Sequence, residues 1–440
     1  MMKGPRIAVS YLVLALAVSS VMLVLAGCIG ESQSGNHGRL ILIGIDGASP
    51  RLVGRLFAEE RLPNLAALAR RGVRGKLRSE LPLFSPRIWN TIVTGLRPKE
   101  HGITSFFKTG KKGQDRLFTS VDRRAPALWT IVNEAGLSVG VVNFWNTHPL
   151  EAVDGVMVSD HVLAREIEGM KRMNGTIDAL DFRRVVHPLE WSSRLVAALR
   201  ERATPLPDDF ESPFAEPRPI PDWVHRSVLQ RRYAEDAALA RIAEVILDEA
   251  QPDVMLVLLP GIDRVSHYLW GTIEPVDVQP PDVVASPETP ASGQNALLDY
   301  YVFTDALIGI LLKSFGPGHR VMIVSDHGFE AGRALMNLTG VHESSKAQDG
   351  VLFAAGPGII PGGEAEDVSI YDIAPTLLAW LGLPAGVAMD GRIAPFLHLD
   401  EALAPVDYSS LEPQLVQPPT EDASAEAELV KQLKALGYAE

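Results

Sequence analysis

Short, nearly unbroken apolar runs alternate along this chain with longer stretches in which apolar residues return every third or fourth position. The runs Arg39 to Ile45, Leu137 to Asn143, Asp253 to Leu259, Arg320 to Val324 and Gly350 to Ala355 lack polar alternation, so they predict strands of the buried type. Arg51 to Glu60, Pro63 to Arg71, Pro86 to Gly95, Pro126 to Ala135, Val224 to Ala250 and Asn295 to Ser314 predict helices. Several of these open on proline, which the first helical turn tolerates, and Gly72 stops one of them. Strands alternating with helices define an α/β chain with a mostly parallel central sheet. Asp46-Gly47 ends the first strand, and because a helix follows it rather than a second strand, it is not a hairpin turn.

Between residues 161 and 222 the pattern breaks. Charges become dense, prolines cluster in PLPDDFESPFAEPRPIPDW, and strand-like runs disappear. We read 161–222 as a cap insertion in a core formed by residues 39–160 and 223–400, with Trp191, Phe210, Phe214 and Trp223 implying that part of it packs. A proline-rich loop spans 274–292. In the tail, 401–440, an acidic linker (Leu411 to Ser424) precedes a short helix, Ala425 to Leu436.

Residues 1–28 stand outside this scheme. Lys3 and Arg6 precede an apolar stretch from Ile7 to Leu25, and Leu25-Ala26-Gly27-Cys28 follows with the only cysteine in the chain. This resembles a bacterial lipoprotein signal, in which residues 1–27 are removed and Cys28 is acylated; the plain alternative is an uncleaved membrane anchor. Either one tethers the folded part outside the cytoplasm, in the cell envelope, with polar 28–38 as the spacer. With Cys28 modified, no disulfide can form inside the domain. The chain, 440 residues long, has room for a large core with insertions. A net charge of −13 and the lack of a Lys/Arg-rich stripe argue against a general binder of nucleic-acid polymers.

The candidate chemistry centres on Leu81 to Ile103, LPLFSPRIWNTIVTGLRPKEHGI. Ser85 lies beside Pro86 at the start of a helix, where free backbone N–H groups and the helix dipole favour anions. A lone Ser-Pro would merely cap a helix. Four of six scattered acids and histidines change that reading, because Asp46, Asp263, Asp326 and His327 sit at or just past the ends of apolar strands, and His267 and His342 join them. Ligands collect beyond the carboxyl ends of strands in an open parallel sheet. Asp263 and His267 stand four residues apart and so share one helix face, suiting a common ion, although an isolated pair of this kind is more often a salt bridge. Carboxylate and imidazole donors without thiolate suit zinc or manganese, and the share of histidine favours zinc. His148 and His161 are read as structural or substrate-side residues.

These motifs resemble the alkaline phosphatase superfamily, most closely its type I phosphodiesterase and nucleotide pyrophosphatase branch and a related phosphohydrolase/phosphomutase group. TIVTG at 91–95 followed by Pro98 to Ile103 is similar to the family's nucleophile block, and SIYDIAPTLLAWLGLP with MDGR is similar to its closing segments. The resemblance implies a three-layer alkaline-phosphatase-like sandwich with an inserted cap, and Ser85 as nucleophile. It implies two divalent ions, one held by Asp46, Asp326 and His327 with Ser85, the other by Asp263, His267 and His342. It also implies hydrolysis of a small phosphate ester through a phosphoseryl intermediate. Arg87 or Asn90 would supply the phosphate contact that an Asn makes in the nucleotide pyrophosphatases. Sulfatases share the fold but need C/S-x-P-x-R, whereas Pro86 and Arg87 directly follow Ser85. The remaining alternatives are a phosphomutase or phosphotransferase of the same superfamily, and an inactive envelope protein that only binds a phosphate-bearing ligand.

Overall fold

Nine strands form one sheet: β1 (Leu40–Ile45), β2 (Val73–Arg78), β3 (Val139–Val142), β4 (Gly155–Val158), β5 (Val186–His187), β6 (Val254–Leu259), β7 (Arg320–Val324), β8 (Asp349–Ala355) and β9 (Gly363–Ser369). Their order across the sheet is β9-β2-β8-β7-β1-β6-β3-β4-β5. Only β8 and β5 run against the others. The computed structural model describes residues 38–109, 115–162, 182–203, 224–274, 295–332, 338–401 and 403–416. The signal segment 1–27, Cys28, Phe210, Phe214, Trp223, most of the 274–292 loop and the helix expected at 425–436 fall outside the described residues.

Alternation along the central strands assigns the layers. Ile41, Ile43 and Ile45 of β1 face one core, which also takes side chains from α1 (Pro50–Ala58), α2 (Pro63–Arg70), α5 (Glu190–Glu201), α6 (Arg231–Glu249), α7 (Gly261–Leu269) and α8 (Ala296–Phe315). Leu40 and Leu42 face the other, built from α3 (Ser85–Thr94), α4 (Leu128–Glu134) and α9 (Ile373–Trp380). All six residues of β1 and of β6 are buried, because each strand is covered on both faces. A fully buried Ile or Leu contributes about 1.5–3 kcal/mol relative to exposure, so this double core dominates the stability of the sheet.

The expected strands 39–45, 137–143, 253–259, 320–324 and 350–355 and the helices between them all form, within a few residues at their ends. Four strands of this sheet, β2, β4, β5 and β9, lay outside the sequence reading. β2 and β9 carry alternating charged residues at one side of the sheet, and β4 is only four residues long. Residues 182–203 also correct the expectation that strands vanish between 161 and 222. Val186 and His187 pair antiparallel with Val158 and Met157, a contact too short to leave a periodic signal. Trp191, Leu195, Val196 and Leu199 of α5 are buried in the first core, so this described part of the insertion belongs to the helical layer. The expected helix from Val224 begins instead with a π-helical turn, His225–Gln230, before α6.

The topology has one consequence for function. β7, β1 and β6 are adjacent and parallel at the middle of the sheet, so their carboxyl ends open at one place.

Candidate active site

Each strand at this place hands over an acid. Asp46 follows β1 directly, Asp326 and His327 follow β7, and the Leu259-Pro260 step after β6 starts α7, which carries Asp263 and His267. The backbone locks the ends of β1 and β6 together, Asp46 N–H donating to the Leu259 carbonyl at 3.1 Å and Asp263 N–H to the Asp46 carbonyl at 3.0 Å, and Gly47 N–H donates to Asp326 Oδ1 at 3.1 Å. Gly47 has φ +72°, and a Cβ there would fall 2.7 Å from the Phe329 ring and 2.9 Å from Asp263 Cα. Only glycine allows that close approach. Gly261 N–H donates to Asp236 Oδ2 at 3.2 Å, as does the Tyr300 hydroxyl at the same distance, which anchors the first turn of α7.

Ser85 arrives from the other face of the sheet, as the first residue of α3. Phe84 is the N-cap and carries no side-chain cap, so the first-turn N–H groups stay available. Ser85 Oγ lies 3.2 Å from Asp46 Oδ1 and 3.4 Å from His327 Nε2. His327 Nε2 is 3.3 Å from Asp326 Oδ2 and 3.7 Å from Asp46 Oδ1. Asp263 Oδ1 stands 3.6 Å from Nε2 of both His267 and His342. The structure thus gathers all seven residues singled out in the sequence, Ser85, Asp46, Asp263, His267, Asp326, His327 and His342, and every one of them is buried.

The imidazoles are oriented from behind. His267 Nδ1 pairs with the Gly340 carbonyl and His327 Nδ1 with the Gly328 carbonyl, each at 3.0 Å, so each Nε2 is left facing the acids. His342 hydrogen-bonds the Leu83 carbonyl, tying its ring to the segment that leads into Ser85. His327 and His342 stack with ring centroids 3.9 Å apart, and Phe329 packs against His267 and His342 at 5.0 and 5.2 Å. Ser325 holds the turn after β7, its hydroxyl accepting from Ala48 N–H and donating to the His327 carbonyl, both at 2.8 Å.

Electrostatics mark the cluster as built for cations. Burial, then the neighbouring Asp46 carboxylate, push the carboxyls of Asp263 and Asp326 well above the usual range. Burial holds the His267 imidazole down at about 3, and burial with the nearby His327 and His267 rings holds His342 well below its ordinary value. Both rings are therefore neutral, the form that binds metal. Among the described residues, Asp263 Oδ1 and Asp326 Oδ2 are buried carboxylate oxygens with no hydrogen-bond partner. Buried unpaired carboxylate oxygens facing neutral imidazoles are costly unless a cation joins them. Ligand atoms of Asp263, His267 and His342 lie within 4.8 Å of one another, as do those of Asp46, Asp263 and His327. The donor set therefore fits metal, with Asp263 common to both groups. The second group has Asp263 where Asp326 was expected beside Asp46 and His327, with Asp326 Oδ2 standing 3.3 Å from His327 Nε2.

Two expectations are corrected. The Arg87 guanidinium is held by the Glu80 carboxylate at 2.7 Å and by the Glu80 and Pro82 carbonyls at 2.7 and 3.1 Å. The Asn90 amide donates to the Pro86 carbonyl and Asn146 Oδ1, both at 2.7 Å, and accepts from Arg123 at 3.1 Å. Both side chains brace α3 and its approach in this structure, where the expectation had given them a phosphate contact. His148 and His161 stack on each other, 4.2 Å between centroids, and enter neither donor group. Sequence reasoning missed Trp89 and Trp145, which both donate to Asp46 Oδ2, and Ser325 and Phe329; a lone aromatic or serine in a motif carries no signal of its target.

A family model for type I phosphodiesterase / nucleotide pyrophosphatase matches residues 40–372. No curated protein matches the chain. A candidate sulfatase from Bacteroides thetaiotaomicron aligns at 14% identity and a TM-score of 0.51, over 84% of this chain and 76% of that one, a likeness of fold. Phosphonoacetate hydrolase from Sinorhizobium meliloti aligns at 13% identity and a TM-score of 0.48, over 78% and 96%. Human ectonucleotide pyrophosphatase / phosphodiesterase 5 aligns at 12% identity and a TM-score of 0.48, over 80% and 96%. The architecture is alkaline-phosphatase-like α/β, a mostly parallel sheet between helical layers. With the family model spanning the whole of this arrangement, the chain belongs to the type I phosphodiesterase / nucleotide pyrophosphatase family and is a phosphoric ester hydrolase.

Proposed function

We propose that this chain hydrolyses small phosphate esters by way of a covalent phosphoseryl intermediate on Ser85, at a site made for two divalent cations. One observation carries the reading: the Ser85 hydroxyl stands at the start of a helix, within 3.2 to 3.4 Å of Asp46 and His327, beside buried carboxylate oxygens that lack hydrogen bonds. Asp46, Asp326 and His327, with Asp263 beside them, would hold one cation, Asp263, His267 and His342 the other, and zinc suits this mixture best. When bound, such ions supply the positive charge that acidifies the seryl hydroxyl and neutralises the leaving oxygen.

The chain's own residues do the rest. Ser85 Oγ gives its proton to solvent and attacks phosphorus, forming the Oγ–P bond as the bond to the leaving oxygen breaks, and the departing alkoxide takes up a proton from solvent. Water then attacks the phosphoseryl group on the opposite face, releasing the phosphate product and restoring the serine. The first-turn N–H groups of α3 support the anionic phosphoryl oxygens. Burial of the histidines keeps them neutral, so they donate electron pairs rather than repel a cation.

The test compares p-nitrophenyl phosphate with bis(p-nitrophenyl) phosphate on zinc-loaded protein, together with Ser85→Ala. We expect turnover of at least one ester and a drop of about a thousandfold or more in the variant, by analogy with loss of other catalytic nucleophiles. Unchanged turnover in the variant rejects Ser85 as nucleophile. Binding of phosphate without turnover of any ester would leave a binding protein.

The N-terminal pattern supports a further placement, an envelope protein anchored to a bacterial membrane through acyl chains on Cys28. Metabolic labelling with a radioactive fatty acid should mark the wild type, and Cys28→Ala should lose both label and membrane fractionation. An unlabelled wild type removes the placement.

A further inference from the structure

Asp46 faces two ways. Its Oδ1 is 3.2 Å from Ser85 Oγ and 3.7 Å from His327 Nε2. Its Oδ2 accepts hydrogen bonds from Trp89 Nε1 and Trp145 Nε1, both at 3.2 Å. The two indoles come from different places, Trp89 from the second turn of α3 and Trp145 from the turn after β3. An unrestrained carboxylate exchanges its two oxygens by rotating its terminal torsion, which is soft. Two donors on one oxygen remove that freedom and leave the other oxygen alone to face the site.

Both indoles are fixed by their surroundings. The Trp89 ring lies over Gly44 of β1, where a Cβ would sit 2.6 Å from the ring, so the bare glycine is what lets the indole reach Asp46. Trp89 also meets Phe144 edge-on at 5.7 Å, and Trp145 meets Phe106 edge-on at 5.6 Å. Such edge-to-face contacts define ring orientation as well as burying area. An indole N–H can only donate, so it cannot compete with Asp46 for a cation.

We propose that Trp89 and Trp145 are positioning residues that hold Asp46 as a one-oxygen metal ligand and keep Oδ1 aimed at Ser85. The proposal rests on the reading that Asp46 binds metal, and it adds the device that makes that ligand single-valued. Partners of this kind behind a metal ligand change metal affinity or activity by about 10–100-fold when removed.

The experiment measures zinc affinity of metal-stripped full-length protein by competition with a chromophoric chelator, beside kcat and KM. The variants are Trp145→Phe, Trp89→Phe, Gly44→Ala and Asp46→Asn, with benzothienylalanine placed at position 89 as a ring of the same shape lacking the N–H. We expect zinc binding about 10–100-fold weaker for each indole variant and for Gly44→Ala, with kcat reduced and KM little changed. Should Trp89→Phe fail to fold, the benzothienylalanine protein answers in its place. Wild-type zinc affinity in Trp145→Phe and in the benzothienylalanine protein, with Asp46→Asn impaired, overturns this proposal and leaves the metal site standing. Wild-type affinity in Asp46→Asn overturns the metal reading itself. A loss of affinity seen only together with loss of the near-ultraviolet circular dichroism of the fold also counts against the positioning role.

Discussion

Asp263 is the residue common to both candidate donor groups. Its Oδ1 faces both His267 and His342, and the carboxyl also belongs with Asp46 and His327. Asp263→Asn should therefore lower zinc content at both positions, whereas His267→Ala should empty only one, and elemental analysis of the purified variants distinguishes these outcomes. Equal stoichiometry in the two variants would contradict the shared-ligand geometry. Arg87 behaves differently. Its guanidinium is committed to Glu80 and Pro82, so Arg87→Ala should cost about 1–3 kcal/mol in urea denaturation while leaving KM for a phosphate ester close to wild type. A large rise in KM with unchanged stability would restore Arg87 to the substrate.

At the scale of elements, three strand ends and one helix start build the site, and glycines decide how closely they approach. Gly47 joins β1 to α1 with a positive φ and has no room for a side chain. Gly47→Ala should destabilise the fold by about 1–3 kcal/mol through backbone strain, and the displaced Phe329 ring should disturb His267 and His342. Thermal denaturation and zinc titration of that variant would report both effects, and a wild-type melting temperature would refute the first. The helix that begins at Ser85 is positioned more indirectly. Asn90, Asn146 and Arg123, with Arg123 paired to Glu151, connect α3 to the chain beyond β3, so the helix carrying Ser85 is held at its side as well as its end.

For the whole molecule, stability should depend on metal and on acid. Free zinc at about one hundred times its dissociation constant adds about 2.7 kcal/mol per site, so chelation should lower the melting temperature by several degrees in a calorimetric scan. Behind α7, Glu235 is buried; burial alone would raise its carboxyl, but Arg232, then Arg264 and Arg231, more than offset this and hold it at about 2. Its folded value lies below the ordinary glutamate value, so the unfolded chain binds the proton more readily. This contribution is complete above roughly pH 4.5 and is lost as pH falls toward about 2. Glu235→Gln should be less stable than wild type near neutral pH, and the gap should narrow below pH 4.5 in urea titrations. A gap that stays constant with pH would show that Glu235 acts through packing alone.

Pattern in the amino-acid sequence was enough for the α/β class, the central strands and the seven residues that the fold gathers in one place. Unbroken apolar runs can only be buried strands here, and three of them, 39–45, 253–259 and 320–324, lead at their carboxyl ends into the acids and histidines that meet where a parallel sheet must open. The lines of charge on β2 and β9, the two-residue β5 and the seating of α5 in the core were decided by pairing with distant partners, which no local period records. The hydrogen-bond partners of Arg87, Asn90, Trp89 and Trp145 were likewise decided only by tertiary structure. A side chain's composition says what it can donate, but residues hundreds of positions away decide which acceptor it meets. Asp46 Oδ2 is the plainest instance, since its two donors lie 43 and 99 residues along the chain and converge only because α3 and the turn after β3 both reach the end of β1.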